Sequence, residues 1–191
     1  MHLPLLCLSL ATATLASPFH LPQTEPEDKI TPVPFYTLPT LFTPPLHPDT
    51  TATEAIRQTL ALYPLAIDGK NFAALSAVFT EDAIANYSAP LNVLAPLSGI
   101  QETLRESLKC VTTQHLYGTQ VIDVLSPGTA RSVTYFQASH FGTKVGLEKE
   151  VATAHGQYQD FWVRGEGGWR VKRRNLVYMS EVLGNQLVFV C

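Results

Sequence analysis

Charge is scarce in this 191-residue chain. Only 15% of its residues are Asp, Glu, Lys or Arg, and the net charge is −3. Outside one cluster no basic run occurs, so neither a nucleic-acid backbone nor an anionic membrane surface is expected as a partner. That cluster, Arg170, Lys172, Arg173 and Arg174, alternates with apolar residues and reads as the solvated face of a strand. No glycine-rich phosphate loop, no Gly-x-Ser-x-Gly turn and no internal repeat is present, which removes the signatures of a bound nucleotide cofactor and of a serine nucleophile. Three cysteines and no closely spaced His-x-x-x-His give little support to a metal centre. No apolar run is long enough to span a bilayer.

What is present begins with export. Residues 1–16 form a short apolar stretch ending in small residues, Thr14 and Ala16, and read as a cleaved signal peptide. The expected location is therefore the secretory pathway or outside the cell, with no membrane contact after cleavage. Cleavage removes Cys7 and leaves Cys110 and Cys191 in a compartment where disulfides persist, and the sequence leaves both a disulfide and two separate thiols open. Asn86-Tyr87-Ser88 is a glycosylation sequon at Asn86. Residues 17–50 carry prolines at 18, 22, 26, 32, 34, 39, 44, 45 and 48, which predicts an extended leader without regular helix or central strand.

A single domain is expected over 51–184, followed by a tail, 185–191. Thr51-Ala-Thr-Glu54 has the form of a capping box, and Ile56, Leu60, Tyr63 and Ile67 follow at helical spacing, so a helix should start here and kink near Pro64. A short helix over 71–79, a strand over 83–88 and a third helix from a second capping box, Ser98 to Gln101, through 109 come next. Long strands are predicted over 113–125, 130–141, 151–164 and 169–183. Three helices followed by an antiparallel meander describe an α+β domain in which a curved sheet wraps the helices.

The hairpin around Pro127-Gly128 has a consequence for two histidines. With a two- or four-residue loop, facing residues have numbers that sum to 255, which sets His115 opposite His140 on one face, with Cβ atoms about 5 Å apart. A bulge or three-residue loop breaks this register. Such a pair suggests a site, against the plainer reading of two hydrogen-bonded histidines on an outer face. A zinc ion held with Asp68 as third ligand is disfavoured by the ligand set. His155 falls on the strand face opposite Gly156 and Tyr158 and reads as structural.

Ile67-Asp-Gly, Phe79-Thr-Glu-Asp-Ala83, Thr113-Gln-His-Leu-Tyr-Gly118, Ser139-His-Phe141 and Gly168-Trp-Arg-Val171, in this order and spacing, resemble the SnoaL-like (NTF2-like) superfamily and its scytalone dehydratase group, here as a secreted, fungal-type member. The resemblance implies a cone-shaped curved sheet closed by helices over a deep pocket. It implies Asp68, His115 and His140 as catalytic residues and Tyr87 as a water-binding tyrosine. Ile67 stands where the dehydratase group has a tyrosine, and Gly156 and Tyr158 replace its serine and asparagine. Substrate contacts are accordingly expected at Tyr63, Ile67, Gly156 and Tyr158.

The function expected is a cofactor-independent lyase or cyclase acting on a polyketide- or terpenoid-like small molecule. His115 is expected as the base, Asp68 as its orienting carboxylate, His140 as the group that returns the proton, and Tyr87 as the donor to the enolate. A secreted binding or dimerisation protein of the same fold is the alternative, and a pericyclase-like pocket is a weaker third. Homo-oligomerisation is left open.

Overall fold

The computed structural model describes residues 30–42 and 48–191. The expected signal peptide and the first part of the leader lie outside the described residues. Residues 30–42 of the leader depart from the expected extended chain: a 3-10 turn at Phe35–Thr37 leads into one helical turn, α1 (Leu38–Leu41). Pro39 is compatible with it, because first-turn N–H groups need no helical partner. This segment lies on the sheet. The Val33 amide donates to Gln159 Oε1 at 2.7 Å, Gln159 Nε2 donates back to the Val33 carbonyl at 2.9 Å, and Arg131 stacks over Phe42.

The first long helix, α2 (Thr50–Asp68), is capped by Asp49, whose side chain accepts from the Ala52 amide at 2.9 Å. The box read at Thr51 therefore begins inside the helix. Ile56, Leu60, Tyr63 and Ile67 form its buried stripe as the spacing predicts, and the helix continues past Pro64 to Asp68. The next helix is only a 3-10 segment, Phe72–Ala77, leading to β1 (Phe79–Asn86) and the short β2 (Val93–Leu94). The last helix, α3 (Leu97–Ser107), has Pro96 at its cap, so Ser98 is already helical and caps nothing.

Four long strands follow: β3 (Val111–Ser126), β4 (Thr129–Gly142), β5 (Val151–Gly165) and β6 (Gly168–Tyr178). The sheet order is β2-β1-β6-β5-β4-β3, with the short β7 (Leu183–Gly184) paired to β5. Every pairing is antiparallel except β1 with β6, which is parallel, so the sheet is mixed. This open, curved sheet of seven strands packed against a few helices is the α+β cone expected. Ile56, Leu60, Leu75, Val78, Ile100, Trp162 and Val171 form the fully buried core between them.

Two departures from simple pairing shape the interior. Along β3–β4 the register shifts between Val124 and Ser126 and again between Tyr117 and Gln120, each time with one more residue on β3 than on β4. On β6, Lys172 is an extra residue between Arg173, which faces Phe161, and Val171, which faces Trp162. That bulge reverses the alternation of faces. Val171 and Arg174 are consequently both buried, and Arg174 is not part of a solvated strand face as its sequence context suggested.

Candidate active site

Asp68 ends α2 facing β3, and its carboxylate is fully engaged there. Oδ1 accepts the Thr113 hydroxyl at 2.9 Å and the His115 Nδ1–H at 2.7 Å, while Oδ2 accepts the His115 backbone amide at 2.9 Å. A carboxylate can only accept, so the Nδ1 contact fixes the His115 tautomer with its proton on Nδ1 and a lone pair on Nε2. Burial pushes the Asp68 carboxyl up, but the hydrogen bonds from His115 and Thr113 together hold it below its ordinary value. The pair is therefore an ionised carboxylate against an imidazole whose side chain is 6% exposed.

His140 does not face His115 directly. The two register shifts set His115 opposite Ala138 and His140 opposite Thr113, a correction to the facing pair expected from an uninterrupted hairpin. Because the two shifts add up to an even number, both imidazoles still point to the same side, with ring centroids 6.4 Å apart. The His140 ring is bound at Nδ1 to the Ala152 carbonyl at 3.2 Å, so Nδ1 carries the proton and Nε2 is an acceptor. Burial, partly opposed by that carbonyl and reinforced by His115 and Lys70, lowers its pKa to about 4. It is a neutral imidazole at physiological pH.

Opposite the histidines stands a group of phenols. Tyr63 and Tyr87 share a hydrogen bond between their hydroxyls at 3.0 Å, and Tyr63 meets the His115 ring edge to face at 6.1 Å. Burial pushes both phenols above their usual range, so they are neutral donors. Behind them lies Arg174, paired through Nε and Nη2 with the two Asp160 carboxylate oxygens at 2.8 Å each, with both side chains 0% exposed. Its guanidinium lies 4.1 Å from the Tyr158 ring centroid and 4.5 Å from that of Tyr63. Burial alone would lower its pKa, but Asp160 holds it well above the usual arginine value. Sequence reasoning missed this buried cation, because the bulge at Lys172 that turns it inward has no signature in residue type.

The two histidines and the phenols face a cavity of about 490 Å³. Tyr63, Ile67, Tyr87, His115, His140 and Tyr158 all contribute to its wall, and Leu104, Leu108, Phe136, Leu176 and Val182 make most of the remainder apolar. Asp68 stands behind His115 rather than on the wall. Gly156, expected to touch substrate, does not line the cavity either. It pairs with Phe136 across β4–β5, and a Cβ there would lie 2.9 Å from the Phe136 ring and 2.6 Å from the Val177 carbonyl. The missing side chain is what lets Phe136 stack on Tyr158 at 4.4 Å.

The C-terminal residues, set apart as a tail in the sequence, close one side of the cavity. A 3-10 turn, Gln186–Phe189, buries Val188 and places the Phe189 ring 4.9 Å from that of His140. Cys191 is disulfide-bonded to Cys110, with Cα atoms 5.2 Å apart. Just after β1, Tyr87 is 3% exposed and faces inward, while the side chain of Asn86, the last residue of β1, is half-buried and accepts from the Ser88 amide at 2.9 Å. His155 is half-buried, on the strand face away from Tyr158. Among the described residues no three His, Cys, Asp or Glu side chains gather as ligands for a metal ion, and no helix is long and apolar enough to cross a membrane.

Residues 48–175 match the SnoaL-like domain family. No curated protein sequence matches the chain. Among solved structures, a provisionally assigned scytalone dehydratase from Novosphingobium aromaticivorans is 26% identical, with 68% of this chain and 85% of that one covered and a TM-score of 0.62. The hexachlorocyclohexane dehydrochlorinase LinA-type3 from Novosphingobium barchaimii is 11% identical, with coverage of 71% and 91% and a TM-score of 0.62. ActVI-ORFA from Streptomyces coelicolor is 20% identical, with coverage of 68% and 98% and a TM-score of 0.53. The latter two are likenesses of fold alone. The chain belongs to the SnoaL-like family, and its structural neighbours include proteins named for elimination chemistry.

Proposed function

We propose that this protein is a cofactor-independent lyase or cyclase that uses His–Asp acid–base chemistry on a polyketide- or terpenoid-like carbonyl compound. The observation that carries the reading is the Asp68–His115 pair. An ionised carboxylate fixes Nδ1–H at 2.7 Å and leaves the Nε2 lone pair, with no protein partner among the described residues, on the wall of an apolar cavity. An imidazole so held can take a proton from a carbon next to a carbonyl, and the carboxylate stabilises the imidazolium that results. Tyr87, polarised through Tyr63, donates to the carbonyl oxygen as it gains charge.

The return of the proton falls to His115 rather than His140. His140 is neutral, with its only N–H committed to Ala152, so it accepts a hydrogen bond at Nε2 and orients a substrate hydroxyl. The His115 imidazolium then delivers its proton to the departing hydroxyl, which completes an elimination without a second acid. Export to an oxidising compartment is part of the same proposal. It is supported by the N-terminal sequence and by the Cys110–Cys191 disulfide.

The test is turnover of β-hydroxycarbonyl compounds and of metabolite extracts from the producing organism, followed by mass spectrometry. Loss of 18 Da (water), or an isomer of equal mass, is expected with the wild type, and His115→Ala and Asp68→Asn should each abolish it. A ligand retained and released unchanged by the wild type would replace this reading with that of a binding protein.

A further inference from the structure

We propose that Lys70 is a positioning residue that holds Thr113 and Asp68 against His115 and keeps the carboxylate ionised. This rests on the acid–base reading above.

The first observation is conformational. Helix α2 ends in a paired C-terminal motif, with the Lys70 amide donating to the Ile67 carbonyl at 3.1 Å and the Asn71 amide to the Ala66 carbonyl at 2.9 Å. The residue that must adopt the left-handed conformation in this motif is Lys70, at φ +55°. Glycine is favoured there because a Cβ is strained at positive φ. Yet the glycine at this helix end, Gly69, sits one residue earlier at an ordinary φ of −78°. A side chain at 69 would force a backbone shift, since its Cβ would meet the Leu65 carbonyl at 2.8 Å. Strain kept at Lys70, beside the site and next to a glycine that could have relieved it, points to its side chain as the reason.

The second observation is where that side chain goes. Lys70 Nζ donates to Thr113 Oγ1 at 3.4 Å, the Thr113 hydroxyl donates to Asp68 Oδ1 at 2.9 Å, and the same oxygen accepts His115 Nδ1–H at 2.7 Å. Lys70 is half-buried. Burial pushes its ammonium pKa down while Asp68 pulls it up. The groups facing this row are Asp68 from α2, His115 from β3 and His140 from β4, with the phenols of Tyr63 and Tyr117 beyond. A positive charge at Lys70 favours the Asp68 anion and opposes a second positive charge at His115.

The experiment is an NMR titration of the His115 and His140 ring signals in the ligand-free full chain, for wild type, K70R, K70M and K70G, with thermal unfolding of each. In K70M and K70G the His115 midpoint should rise by about half a pH unit, a change of about threefold in proton affinity. K70R should leave it unmoved, and K70G should unfold at a higher temperature than wild type because the strain is relieved. A His115 midpoint within about 0.1 unit of wild type in both K70M and K70G overturns the proposal, and so does a K70G chain that unfolds at a lower temperature. The titration needs no substrate. A failure of the acid–base reading would show separately, as full turnover by His115→Ala.

Discussion

Acidification should cost this protein stability well before its carboxylates begin to protonate, and the cause is His140. Its ring is 8% exposed, gives its Nδ1–H to the Ala152 carbonyl and lies against Phe189. Burial holds its pKa at about 4, against 6.5 for the unfolded chain. Between these values the unfolded state binds a proton that the native state refuses, so the free energy of unfolding falls as the pH falls. At about 1.4 kcal/mol per pH unit, the interval is worth about 3 kcal/mol, fully present above pH 6.5 and lost by about pH 4. Asp68 acts in a separate window. Its folded value lies below 3.8, so its contribution is present above that value and is lost only as the pH falls through the lower, folded one. Urea unfolding at pH 7, 5.5 and 4 should show the loss in wild type, and His140→Gln should flatten the slope by about that amount, since glutamine does not titrate and can still donate to Ala152. The ring signals of His140 should stay in their neutral positions down to about pH 5. A midpoint near 6.5, or a His140→Gln slope equal to wild type, would refute the reasoning.

Arg174→Met leaves the Asp160 carboxylate buried and unpaired, and a loss of about 3–5 kcal/mol is expected from the shift in urea midpoint. Gly156→Ala forces a methyl group to 2.6 Å from the Val177 carbonyl and 2.9 Å from the Phe136 ring; it should destabilise by about 1–3 kcal/mol, read by thermal unfolding. Cys191→Ser opens a loop with a sequence separation of 81, for which chain entropy sets a loss of about 4.5 kcal/mol. Hydrogen exchange should then quicken at Leu183 to Phe189, the segment that packs on His140.

Helix positions were legible because the apolar spacing of Ile56, Leu60, Tyr63 and Ile67 has one physical solution, a stripe on a helix packed against a sheet. The caps were less so. Asp49 competes with Thr51 for the same role, and only the path of the preceding chain decides which side chain reaches the first free amides. The prolines of the leader predict an extended chain because they exclude long helices, but they do not exclude a single turn whose first amides need no partner. Residues 185–191 read in sequence as a tail. Their role depends on Cys191 meeting Cys110, a contact that spacing cannot specify. A lysine after Gly69 looks in sequence like an ordinary helix end. Only the backbone φ shows that the two residues stand in the less favourable order.

The histidine pair shows how a wrong register can still lead to the right place. A regular hairpin sets His115 against His140, whereas the protein sets it against Ala138. Each shift on β3 adds one residue, and since side chains alternate across a strand, a single shift would have turned one imidazole to the outer face. Two shifts restore the alternation. They also place His140, rather than Gly142, opposite Thr113, the residue whose hydroxyl binds Asp68 and receives Lys70. Such insertions also bend a strand and increase its twist, so the features that move the register by two residues are those that curl β3 and β4 around the cavity. Gly118 hints at one of them, while Leu125 gives no sign of the other. What the site requires is therefore the parity of the hairpin, which any even number of insertions preserves, and not the pairing of particular residues.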